Sequence, residues 1–147
     1  MRAKNFLNKI KELDLLIDEK LADVEMLKSR LTNVTASCEG ERVQTSMQGD
    51  KFADTVAKIV DLQNNINRDI DKLIDYKAVA RELIEKLDDD LLKNIMYKRY
   101  FRGCTFEEIA VSIGYSWRHT CRLHGVALQK LNEHMKDVIE CHIDMGV

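Results

Sequence analysis

Two arginines four residues apart, Arg118 and Arg122, stand in the stretch Thr105 to Leu131, TFEEIAVSIGYSWRHTCRLHGVALQKL. On a helix that spacing puts both on one face. Each guanidinium can donate a bidentate pair to guanine O6 and N7, or clamp a phosphate. For either residue alone the plain alternative is a solvated surface arginine. Other chemistry-bearing residues lead less far. Cys121 and His124 lie three apart, and Cys141 adjoins His142, but a tetrahedral zinc site needs four ligands and no single spacing supplies them. The four cysteines (Cys38, Cys104, Cys121, Cys141) form no C-x-x-C pair and are expected to be reduced in a cytosolic chain. The Asp88–Asp90 run reads as a helix cap rather than a catalytic pair. No nucleophile–base pair or Gly-rich phosphate loop stands out, so neither an enzyme, a cofactor nor a metal is expected.

The elements that would carry the arginines are legible. Thr105 can N-cap a short helix, and Glu108 three residues on completes a capping box. Ile109, Ala110 and Ile113 give that helix an apolar face. Gly114 ends it, and Ser116 can cap the next helix after a two-residue turn. The second helix has Thr120, Leu123, Ala127 and Leu131 at helical spacing. Two helices joined this tightly must cross steeply, with small Ala110 at their contact, an arrangement that usually delivers the second helix to a DNA major groove. A preceding helix, Leu91 to Phe101, presents Leu91, Leu92, Ile95, Tyr100 and Phe101 as apolar contacts and is closed by Gly103.

The 147 residues lack proline and are poor in glycine and aromatics, which favours long helices and an all-α fold. Phe6 to Val34 keeps a heptad, with Ala3, Ile10, Ile17, Val24 and Leu31 in one row and Phe6, Leu13, Lys20, Leu27 and Val34 in the other. A second heptad runs from Phe52 to Leu87, with Phe52, Ile59, Ile66, Leu73, Ala80 and Leu87 in one row and Val56, Gln63, Ile70, Lys77 and Ile84 in the other. Residues 35–50 between them read as a loop. The expected organisation is a long antiparallel, coiled-coil-like helical hairpin over residues 1–87, a three-helix DNA-binding domain over 88–132 and a helical tail over 133–147. Leu7, Leu16, Leu21, Leu62 and Ile74 fall outside the strict rows, a surplus that suggests further packing and a homodimer. Lys20, Gln63 and Lys77 at row positions either fix register or mark a solvated gap.

The net charge of −2 conceals an asymmetry. Residues 1–92 carry −4, residues 93–136 carry +5 and residues 137–147 carry −3. The positive segment holds the two tightly joined helices, as expected where one part meets phosphate and the rest does not; chance clustering on a helical surface is the bland alternative. No apolar run approaches a membrane span and no signal-peptide pattern stands at the start, so a cytoplasmic, nucleoid-associated protein of a bacterial host is expected, with no membrane partner.

The segment YKRYFRGCTFEEIAVSIGYSWRHTCRLHGVALQKL resembles region 4 of bacterial sigma factors. Arg99, Tyr100, Gly103, Glu107, Glu108, Ile109, Ala110, Gly114, Ser116, Ala127, Leu128 and Leu131 stand where that family has them. The likeness covers about the last third of the chain. The chain as a whole is similar to sigma-region-4-like proteins of phages and prophages, of the ArpU/RinA late-gene regulator type. The resemblance implies a helix-turn-helix that reads a promoter element. By position it places Trp117, Arg118, Cys121 and Arg122 at the bases. It places Lys98, Arg99, Arg102 and His119, with the amides capped by Thr105 and Ser116, at the phosphates.

Some residues depart from the family pattern. Trp117 replaces a small charged residue, and its ring either packs on sugar or a thymine methyl or is half-buried core. Thr120 stands for Ile or Val, Val126 for a basic residue, and Gly125 sits inside the helix. The expected function is a sequence-specific DNA-binding transcriptional regulator of a phage or prophage, with double-stranded DNA and RNA polymerase as partners. The alternatives are a small-terminase-like DNA-packaging recognition subunit, or a module that contacts polymerase or a sigma factor without reading DNA.

Overall fold

The computed structural model describes the backbone of residues 2–37 and 45–143 and the side chains of residues 2–33 and 49–135. The chain is all-α: α1 (Ala3–Ser37), α2 (Thr45–Glu85), α3 (Asp90–Tyr100), α4 (Phe106–Ile113) and α5 (Trp117–Ile143), with no strand among the described residues. Helix takes both ends of the 35–50 segment, since α1 reaches Ser37 and α2 begins at Thr45; residues 38–44 lie outside the described residues. Leu91 to Phe101 is helical from Asp90, with Asp89 as the N-cap, its carboxylate accepting from the Leu91 amide at 2.8 Å. The 133–147 segment continues α5 as far as Ile143; Val138, Ile139 and Ile143 lie beyond the described side chains.

The chain divides into two compact units. One comprises residues 1–13 and 73–147. The apolar part of its core draws on all five helices, with Phe6, Leu7 and Ile10 from α1; Ala80, Leu83 and Ile84 from α2; Leu92, Ile95, Met96 and Tyr100 from α3; Ile109 and Ala110 from α4; and Ala127, Leu131 and Met135 from α5. Burying this much apolar surface is the main favourable term for a unit of its size. Specific contacts tie the start of α1 into it. The Ala3 amide donates to Asn132 Oδ1 at 2.7 Å, and the Phe6 and Tyr76 rings lie 5.4 Å apart. The end of α2 is tied to α3 by Glu85, which accepts from the Tyr97 hydroxyl at 2.8 Å and from Lys93 Nζ at 3.2 Å. Burial and the Glu85 carboxylate push the Tyr97 hydroxyl up to about 12.

The other unit comprises residues 14–72. Its buried apolar side chains, among the described residues, are Ile17 and Val24 from α1 and Ile59 and Ile66 from α2, each on the first heptad row of its helix. Lys20, at a second-row position, forms an ion pair with Asp69, and that hydrogen bond holds the Asp69 carboxyl below the usual carboxylate range. Phe52, Val56 and Gln63 occupy heptad rows yet are exposed, as are Leu15, Leu16, Leu21, Met26 and Val60. Heptad position alone does not bury a side chain; it needs a facing layer to fill.

Candidate nucleic-acid interface

The junction of α4 and α5 is fixed by local chemistry. Thr105 Oγ1 accepts from the Glu108 amide at 3.2 Å, and Glu108 Oε2 accepts from the Thr105 amide at 2.7 Å, so both halves of the capping box are made. Gly114 takes the left-handed conformation with φ of 72°, and its amide and that of Tyr115 both donate to the Ala110 carbonyl at the end of α4. A side chain at Gly114 would meet its own backbone there, which is why glycine suits the turn. Ser116 Oγ then accepts from the His119 amide at 3.3 Å, capping α5.

The first three turns of α5 are two-sided. Thr120, His124 and Ala127 are buried, whereas Trp117, Arg118, Arg122 and Val126 are exposed. Thr120 is buried without an orphaned hydroxyl, because its Oγ1 donates back to the Ser116 carbonyl at 3.0 Å. That bond explains how a hydroxyl is accommodated in the core. His124 belongs to the core. Its Nε2 shares a hydrogen bond with the Tyr100 hydroxyl at 3.1 Å, and its ring stacks on Tyr100 and meets Phe106 edge-on at 5.0 Å. Burial, with the charges of Arg99, Lys4 and Lys11, pushes the imidazole down to about 4. Cys121 beside it is a half-buried free thiol, and no group of metal-ligating residues forms among the described residues.

The base-facing set named from the sequence is brought together on α5, with different exposures. Trp117 is 52% exposed, so its ring is open to a ligand rather than core. Arg118 and Arg122 are exposed on the same side of the helix, and Cys121 is half-buried between them.

The phosphate set divides. Arg102 is exposed, and Lys98 donates to Ser112 Oγ at 2.6 Å, linking α3 to α4; both line a shallow depression with Asn94, Tyr97 and Phe101. Arg99 is engaged inside the fold. It donates to the Cys104 carbonyl at 2.9 Å and lies over the Phe106 ring at 4.4 Å. His119 is half-buried; its Nδ1 lies 2.6 Å from Arg122 Nη2, and its ring lies 4.9 Å from that of Tyr115. The sequence reading had no role for Tyr115, which is 46% exposed, nor for the His119–Arg122 bond, although their i, i+3 spacing was a usable signal.

No family model, curated protein or solved structure matches the chain.

Proposed function

We propose that this protein is a sequence-specific DNA-binding transcriptional regulator of a phage or prophage. In this reading α3, α4 and α5 form a helix-turn-helix domain of the sigma-region-4 kind, and α5 enters the major groove. Within residues 14–72, α1 and α2 form an antiparallel hairpin whose exposed Leu15, Leu16, Leu21, Phe52, Val56 and Val60 mediate homodimer formation. The observation that carries the reading is the two-sidedness of α5. One side is anchored by Thr120, His124 and Ala127, and the other presents Trp117, Arg118 and Arg122 to solvent, on a chain segment of charge +5.

The assigned roles follow from chemistry. Arg118 and Arg122 offer bidentate donors to guanine, and Trp117 offers an apolar face to sugar or a thymine methyl. Lys98, Arg102 and the α4 and α5 N-terminal amides hold phosphate. Arg99, already bonded to the Cys104 carbonyl, sets the α3–α4 geometry from which those groups act. Its place of work is the bacterial cytoplasm, on the nucleoid, where RNA polymerase is the protein partner; among the described residues no helix is long and apolar enough to cross a membrane.

Fluorescence anisotropy on a specific and a random duplex tests the roles. Arg122→Ala costs ~1–3 kcal/mol on the specific duplex and little on the random one. Arg102→Ala weakens both and lowers the salt slope by about one. Equal losses on both duplexes for Arg122→Ala remove the base-reading role. A reporter driven from a late promoter responds to the protein and loses that response with Arg118→Ala plus Arg122→Ala. A deletion that impairs DNA packaging and leaves late transcription unchanged favours the terminase-like alternative.

A further inference from the structure

Arg122 is the one base-reading candidate whose head group is held by another side chain. Its Nη2 lies 2.6 Å from Nδ1 of His119, one turn earlier on α5. A guanidinium can only donate, so Nδ1 must be the acceptor, and an imidazole that accepts at Nδ1 is neutral with its proton on Nε2. His119 is itself held from two sides. Its backbone amide is bonded to Ser116 Oγ, and the Tyr115 ring lies against its imidazole at 4.9 Å, tilted by 54°.

We propose that His119 is a positioning residue for base recognition, fixing the Arg122 guanidinium through its neutral Nδ1 and so setting sequence specificity rather than holding phosphate. The inference rests on the proposed DNA-reading function and deepens it. Nη2 has one N–H on each of the two donor edges of the guanidinium, so one bond to Nδ1 leaves four of the five N–H groups and one complete two-donor edge, the fork that fits guanine O6 and N7. Arginine has large rotamer freedom when unbound, and ordering it beforehand removes that loss from the binding step. Without the Nδ1 acceptor the Arg122 guanidinium is no longer pre-set, whereas its charge remains. Specific binding then falls and general binding does not, a pattern that a phosphate contact or a purely structural residue does not produce.

The test uses the full chain, one duplex selected by it from a randomised pool at about pH 8, and a scrambled duplex of the same composition. The readout is the ratio of the two Kd values at about pH 8 and constant ionic strength. His119→Ala lowers the specificity ratio about tenfold, within the range one bidentate arginine–guanine pair supplies, while binding to the scrambled duplex holds. His119→Asn, whose Oδ1 stands in the place of Nδ1 and can accept from Arg122, keeps the ratio of the unaltered protein.

A His119→Ala protein that loses affinity equally for both duplexes shows a phosphate contact and overturns the assignment. So does a His119→Asn protein whose ratio is as low as that of His119→Ala. A randomised pool that yields no enriched duplex overturns the DNA-reading function itself and the assignment with it; an enriched duplex with the same ratio in every variant overturns only the role of His119.

Discussion

At the scale of single residues, polar and ionisable side chains with defined partners brace the α3–α5 region. His124 is the clearest case. Its folded-state value of about 4 lies below the ordinary histidine value, so the unfolded chain takes a proton first as pH falls. Stability is fully present above about pH 6.5 and declines between there and about pH 4, by about 3 kcal/mol from this group. Urea unfolding at a series of pH values checks it: His124→Phe, which cannot titrate, flattens the decline over that window. Arg99 is a second case. Arg99→Ala removes the bond to the Cys104 carbonyl and the cation above Phe106, and lowers stability by about 1–2 kcal/mol. A melting curve separates that effect from any change in DNA affinity. Neither partnership could be read from the sequence. The arginine and histidine types are visible there, but which carbonyl or ring each meets is a matter of tertiary placement.

At the scale of elements, local signals were nearly sufficient. The Thr105–Glu108 capping box, the left-handed Gly114 and the Ser116 cap all occur where their spacing places them, because each involves groups within a turn or so of one another. The long helices were legible for the same reason: the heptad rows of Ala3, Ile10, Ile17 and Val24, and of Ile59, Ile66, Leu73 and Ala80, are buried as the period requires. What the period could not convey is the depth of each layer. Phe52 shares the row of Ile59, and Val56 the row of the buried Ile84, yet both remain exposed, whereas Leu7, outside the rows, is fully buried. The two helix glycines should respond in opposite ways. Gly114→Ala forces a side chain into a φ of 72° and destabilises by about 1–2 kcal/mol. Gly125, within α5, has nothing within 4 Å of where a Cβ would stand, so Gly125→Ala stabilises by about 1 kcal/mol. Thermal unfolding of the two variants should show melting temperatures displaced in opposite directions.

At the scale of the whole molecule, the unit that carries the candidate interface is assembled from both ends of the chain. Residues 1–13 supply Ala3, Phe6, Leu7 and Ile10 to the same compact unit as α3, α4 and α5. The bond from Ala3 to Asn132 spans 129 positions, a separation at which sequence pattern carries no information. A fragment beginning near Asp88 therefore loses core side chains from α1 and from the end of α2, and its helical signal melts at lower temperature and less cooperatively than that of the full chain. Replacing residues 14–72 by a short Gly/Ser linker keeps that core and its cooperative melting. The same deletion removes the exposed apolar residues assigned to homodimer formation. Sedimentation at tens of micromolar should show self-association of the full chain and a monomer for the deletion; a monomeric full chain removes the dimer from the proposal.

The central claim is that the exposed side of α5 reads base sequence. Selection of bound duplexes from a randomised pool by the full chain, with the recovered sequences compared against the input, tests it most directly. The account predicts one enriched motif containing guanine at the positions served by Arg118 and Arg122, and no enrichment with Arg118→Ala plus Arg122→Ala although the doubly substituted protein still binds DNA at low salt. Recovered sequences no different from the input, or the same motif enriched by the doubly substituted protein, would contradict it.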